Sequence, residues 1–297
     1  MAITAQIPTL GDYELAPEIG IWRDVYQRVR RNRLAVAGAV ITVIVILAGL
    51  LSNFWTPYPY WRQALGPTFQ GPTLLHPLGL DAAGRDILSR LMLGAGIAIE
   101  VGVGTSILVS VVGVTLGLLA GFYRGKIDFL VSTGINIWYG VPDLLVALLF
   151  VVLIGRGLQN IIFAIAITRW MDMARLVRAQ SLALREREFV EAARMTGTKD
   201  RWILLRHILP NTLGPIIVQA TLLVPAAILL EAFLSYLGLG VQPPTPSWGA
   251  MAAQGFHSIQ LAPHIVLAPA LALSITLLAF NWLGDGLRDA LDPRMKR

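Results

Sequence analysis

The chain has 297 residues, 55% of them hydrophobic and 14% charged, with a mean hydropathy of +0.64. Apolar residues run along its whole length rather than forming one block, which is the composition of a polytopic, all-α membrane protein. It contains no cysteine, which excludes disulfides, thiolate metal sites and cysteine nucleophiles. Its 24 Lys+Arg against 18 Asp+Glu and pI near 10 would suit nucleic acid by number alone, but the charges flank apolar spans, as membrane topology requires.

Asp12, Glu14 and Glu18 stand where a cleaved leader needs a basic start and an apolar centre. No cleaved signal peptide is therefore expected, and the first span reads as an uncleaved anchor. Within the tail 1–33, Ile21, Trp22, Val25, Tyr26 and Val29 share one helical face, while Arg23, Arg28, Arg30, Arg31 and Arg33 occupy the remainder. This predicts an interfacial amphipathic helix lying on anionic lipid.

Spans of about 20 apolar residues fall at roughly 34–54, 93–121, 128–154, 157–174, 212–237 and 263–284, which predicts six transmembrane helices in the domain 34–297. In the fourth, only the stretch Gly157 to Thr168 is free of charge, so its end is expected to project from the bilayer. Twenty of the Lys and Arg residues lie on the side of the two termini, and only Arg62, Arg85, Arg90 and Arg156 lie on the other. Both termini are accordingly expected in the cytoplasm.

Gly113, Gly117 and Gly121 recur every four residues in the second span and predict a face where another helix packs at short distance. In the loop before that span, Asp81 with Arg85 and Asp86 with Arg90 have the favourable acid-before-base spacing of a helix. Pro243, Pro244, Pro246 and Trp248 suggest a rigid loop on the same outer side.

The segment after the fourth span is ordered like a folded surface. Phe189, Val190, Ala193 and Met195 follow the charged Glu186-Arg187-Glu188 at helical spacing and predict a short helix. Gly197 stands where a left-handed turn ends it, and Thr198 can cap a second helix carrying Trp202, Ile203, Leu205 and Leu209, which Pro210 is expected to stop. The turn at Met195-Thr196-Gly197 is then the most protruding point, suited to a groove on a soluble partner.

Glu191-Ala192-Ala193, three residues, Gly197 and the downstream Leu209-Pro210 resemble the EAA loop of bacterial binding-protein-dependent ABC importer permeases. Three further segments are similar to the second permease subunit of the dipeptide, oligopeptide and nickel importer group. These are His76-Pro77-Leu78-Gly79-Leu80-Asp81 with Gly84-Arg85-Asp86-Ile87-Leu88-Ser89-Arg90, the run Leu237 to Gly249, and the tail Gly284 to Arg294. His207, Leu80 and Gly96 depart from that group's pattern, and none of them touches Glu191 or Gly197.

The resemblance implies that Glu191, Ala192, Ala193, Arg194, Met195, Thr196 and Gly197 couple the chain to an ATPase. It implies a second homologous permease, two ABC ATPase subunits, an extracytoplasmic substrate-binding protein and membrane lipid as partners, and no nucleic acid. Peptides are the leading cargo the resemblance implies, with nickel chelates, other oligopeptide-like cargo and certain sugars or opines also open within it. The chain itself is expected to carry no cofactor: its one Gly-Lys pair, Gly125-Lys126, is followed by Ile127 rather than by the Ser or Thr of a phosphate-cradling loop. ATP and Mg then belong to the partner subunits.

Glu100, Asp143 and Glu231 are acidic residues placed inside the membrane and are candidates for the translocation pathway, with hydrogen-bonded packing as the competing role. Pro142 beside Asp143 is the one hint of an ion-coupled secondary transporter. His76, His207, His257 and His264 are dispersed and give no helical metal-site spacing.

Overall fold

The computed structural model describes residues 21–291, with side chains from Arg23 onward. The expectations resting on Asp12, Glu14 and Glu18, on the side chains of Ile21 and Trp22, and on residues 292–294 of the tail motif lie outside the described residues. Among the described residues the regular structure is helical, apart from an isolated bridge between Leu80 and Asp86, and irregular segments join the helices.

Helix α1 (Ile21–Arg31) packs against the start of α2 (Arg33–Ser52) and against α11 (His264–Leu291). The Asn32 side-chain oxygen accepts from the Leu34 and Ala35 amides at 3.1 and 3.2 Å and so starts α2. After an irregular segment, Asp86 caps α3 (Ile87–Tyr123) in the same way, accepting from the Ser89 amide at 2.8 Å. The 37 residues of α3 extend to about 55 Å, and α6 (Leu158–Arg185), α9 (Leu209–Tyr236) and α2 pack around it.

The glycine stripe does what its spacing predicts. A Cβ on Gly113 would lie 2.6 Å from the Met173 Cβ, one on Gly117 2.6 Å from the Ala174 carbonyl, and one on Gly121 2.6 Å from the Arg178 carbonyl. Only the missing side chains let α3 and α6 approach this closely.

Several expectations need correction. The segment 128–154 is not one straight span: α4 (Gly125–Tyr139) and α5 (Asp143–Ile154) meet at 92° across Gly140-Val141-Pro142. Pro142 supplies the break, taking an extended backbone (φ −60°, ψ 124°) ahead of α5. Among the described residues, four helices are long and apolar enough to cross a membrane, or five if the bent pair counts as one span, and α6 is not among them. At 28 residues, or about 42 Å, α6 exceeds the bilayer core but carries charge along its second half.

Pro210 does not stop a helix. Helix α8 (Asp200–Ile203) passes through a π turn (Leu204–Ile208) straight into α9, and the wider turn absorbs a residue that cannot donate a backbone hydrogen bond. Thr198 does not cap α8: Lys199 holds the N-cap position without a side-chain bond.

Asp86 does not pair with Arg90. Asp86 accepts from the Ser89 hydroxyl at 2.7 Å and contacts His76 Nδ1 at 2.9 Å, whereas Arg90 lies 3.6 Å from Asp81. Asp81 and Arg85 do pair, at 2.7 Å, but on a turn rather than a helix. A further helix, α10 (Trp248–Phe256), follows the proline-rich segment; Ser247 caps it, and the buried Trp248 indole donates to the Leu91 carbonyl at 3.1 Å.

Candidate functional site

Helix α7 (Glu188–Met195) follows α6 through Glu186 and Arg187 and forms an elbow with α8. Its inward face is fixed by Val190, fully buried in one core with Leu118 and Phe122 of α3, Val177 of α6 and Ile203 of α8. Ala193 packs partly against that core.

The end of α7 is closed by a pair of backbone bonds. Gly197 at φ +77° donates to the Arg194 carbonyl at 2.9 Å, and Thr198 donates to the Ala193 carbonyl at 3.1 Å. This reciprocal pair is the Schellman closure, which needs a left-handed residue at the position of Gly197. The Thr196 hydroxyl donates to the Ala193 carbonyl at 2.9 Å.

Outside the core lie Glu191, Ala192, Arg194, Met195, Thr196 and Gly197, all exposed, with Met195 at 84%. Met195 thus projects beyond the helix turn and takes no part in the chain's own core. Nothing in the chain comes within 4 Å of where a Gly197 Cβ would stand.

Behind the elbow, α6 and the end of α3 are joined at several points. The Ser181 hydroxyl donates to the Leu118 carbonyl at 3.3 Å, and the Arg185 guanidinium donates to the Phe122 carbonyl. Arg178 pairs with Asp128 of α4, its Nη2 donating at 2.9 Å. These bonds tie α3, α4 and α6 together behind the elbow.

The three acidic candidates of the spans are not brought together: no hydrogen bond or ion pair joins them among the described residues. Glu231, 2% exposed in α9, accepts from the Ser235 hydroxyl at 2.6 Å. Asp143 opens α5 and pairs with Arg169 of α6 at 3.1 Å. Beside it, Tyr139 donates to Asp172, and the Arg175 guanidinium lies 4.2 Å from the centroid of the Tyr139 ring. This cluster clamps the α4–α5 break onto α6. Glu100 is exposed on α3 and lines a groove with Gly49, Asn53 and Gly96.

Sequence reasoning missed the clamp, because Tyr139, Arg169, Asp172 and Arg175 gain meaning only when a bend brings α4 and α5 against α6. It also missed His76, which was treated with the dispersed histidines and instead holds Asp86. No group of acidic and histidine residues able to hold a metal ion occurs among the described residues.

Two family descriptions match the chain: "Binding-protein-dependent transport system inner membrane component" over residues 113–297 and "N-terminal TM domain of oligopeptide transport permease C" over residues 20–72. The dipeptide transport system permease protein DppC of Bacillus subtilis (strain 168) is 42% identical, covering 95% of this chain and 88% of that one. The oligopeptide transport system permease protein OppC of the same organism is 41% identical, covering 94% and 92%. The glutathione transport system permease protein GsiD of Pectobacterium atrosepticum is 37% identical, covering 99% and 97%. In fold, the chain is similar to one in the structure of inward-facing conformations of the MetNI methionine ABC transporter, with a TM-score of 0.56 and 21% identity over 68% of this chain and 96% of that one. The match over residues 113–297, together with these relatives, makes this chain a member of the binding-protein-dependent transport system inner membrane component family, a multi-pass transport permease.

Proposed function

We propose that this chain is one of two different permeases in an ATP-driven importer of peptides, forms half of the pathway, and receives the work of ATP through its elbow. The observation that carries the coupling is the exposed Glu191–Gly197 turn standing on a buried Val190. A partner groove can grip the turn, and the core beneath it joins α3, α6 and α8. The ATPase is a pair of partner subunits that bind ATP and Mg; an extracytoplasmic binding protein delivers cargo. ATP binding then favours one of two preformed arrangements of the permease pair.

Peptide cargo is supported by relatives whose names specify dipeptide, oligopeptide and glutathione transport. The permease crosses the bacterial cytoplasmic membrane six times, with α6 as the fourth crossing, shielded by its neighbours, and with both termini in the cytoplasm. The segment 1–33 is an interfacial tail, and the coupling loop occupies about 186–211 of the permease domain 34–297. An ion-coupled mechanism is less well supported, since the acid at the broken helix, Asp143, is matched by Arg169.

The test is to co-express the chain with its neighbouring genes, purify the assembly in lipid and record ATP hydrolysis with and without the binding protein. Co-purification with a second permease and two ATPases, with hydrolysis that responds to the binding protein, is the expected result. A chain that purified alone and moved solute down an ion gradient would overturn the reading.

A further inference from the structure

Among the exposed residues from Glu191 to Gly197, Arg194 reaches back to α3: its guanidinium carbon lies 5.4 Å from the centroid of the Phe122 ring, within cation–π reach. Phe122 is a firm platform, 2% exposed, meeting Tyr123 edge-on at 5.2 Å, with its carbonyl held by Arg185. It sits on the last turn of α3, just before Arg124 and Gly125 reverse the chain at φ +57° and +58°.

An eight-residue helix such as α7 does not hold its own shape in water, so tertiary contacts set its orientation. Val190 plugs one turn into the core. Ala193, the other core-facing residue of α7, packs only partly and ends at a Cβ, so the helix keeps freedom to swivel about Val190; a longer side chain anchored one turn later removes it. Arg194 stands one turn beyond Val190.

We propose that Arg194 and Phe122 form a strut that fixes the angle of the elbow on α3, making Arg194 a positioning residue that faces its own chain rather than the ATPase. The inference rests on the coupling reading above. Without the strut the partner still grips the turn, but part of its stroke is spent swivelling α7 instead of moving α3 and α6. ATP hydrolysis then proceeds with less transport.

The complete complex is reconstituted in lipid, and transport of a radiolabelled dialanine probe is measured per ATP hydrolysed for Arg194→Gln, Arg194→Lys, Phe122→Leu and the Gln/Leu double variant. The neutral and leucine variants are expected to lower transport per ATP roughly two- to fivefold, about 0.5–1 kcal/mol at ~1.4 kcal/mol per decade. ATPase co-purification and melting are recorded for every variant, and transport per ATP is compared among the complexes that assemble. The double variant loses no more than the worse single one, because both break the same contact, and Arg194→Lys retains most of the ratio.

An unchanged ratio in the single variants, or losses that multiply in the double variant, overturns the strut. Gly197→Asp measured alongside separates the two levels. If it uncouples while the strut variants do not, the elbow couples without the strut; if it transports like the parent chain, the coupling reading has failed and the strut fails with it.

Discussion

Replacing Gly197 by alanine, asparagine and aspartate separates the two demands on this residue. The first is conformational: at φ +77°, an ordinary L-residue costs about 1–2 kcal/mol, whereas Asn and Asp adopt this region more readily. The second is contact with a partner. No atom of the chain lies within 4 Å of the added Cβ, so no internal clash contributes. If only the chain's own backbone mattered, alanine would be the most damaging substitution and aspartate among the mildest, with a ceiling of roughly five- to thirtyfold at ~1.4 kcal/mol per decade. Insertion into a groove reverses that order, because aspartate brings both bulk and a charge to be desolvated. The assay is peptide transport in proteoliposomes, paired with co-purification of the ATPases and a melting curve. Gly197→Asp is expected to lose more transport than Gly197→Asn and Gly197→Ala while its own helices melt normally. Equal transport by an assembled Gly197→Asp complex, or losses ranked with alanine worst, would refute partner insertion.

Gly117→Val is expected to destabilise the bundle by about 1–3 kcal/mol or more, since its Cβ meets the Ala174 carbonyl at 2.6 Å and the Val177 Cβ at 2.8 Å. Gly134→Ala, with no atom within 4 Å, should gain roughly 0.5–1 kcal/mol; thermal unfolding in detergent ranks the two, and equal melting would contradict the packing. Asp86→Ala removes the cap of α3 and the partner of buried His76, at about 1 kcal/mol for the cap and ~1–3 kcal/mol for the stranded imidazole. Hydrogen exchange across 76–90 should rise in that variant and stay low in a control at exposed Gly71. Arg169→Met leaves Asp143 unmatched at the α4–α5 break, and the partly exposed pair is worth about 1 kcal/mol. Adding Asp143→Asn should recover much of that loss in a double-mutant cycle, and simple additivity would remove the clamp from the account.

Much of the architecture was legible because its causes are local in the chain. A run such as Ala35 to Leu51 can satisfy its backbone in a bilayer only as a helix, and three glycines at four-residue spacing mark one helix face wherever that face points. The elbow was legible for the same reason: Gly197 ends α7 through bonds that reach no further than five residues. Pro210 was misjudged because its local rule, no backbone donor, was answered by a π turn that the flanking buried residues Leu204 and Ile208 hold in place.

By itself, the sequence determined that the chain is helical and membrane-embedded, where its main helices run, and where its protruding turn closes, since apolar length, capping and left-handed glycine geometry act between neighbours in sequence. Tertiary structure alone decided the rest. It turned the α4–α5 break into a clamped bend by setting Asp143 against Arg169, gave Asp86 to His76 instead of Arg90, and placed the face of Phe122 under Arg194 across 72 residues. Each of these depends on which of several chemically suitable partners lies within a few ångströms, and charge and aromatic contacts weaken too steeply with distance for composition or spacing to choose among them.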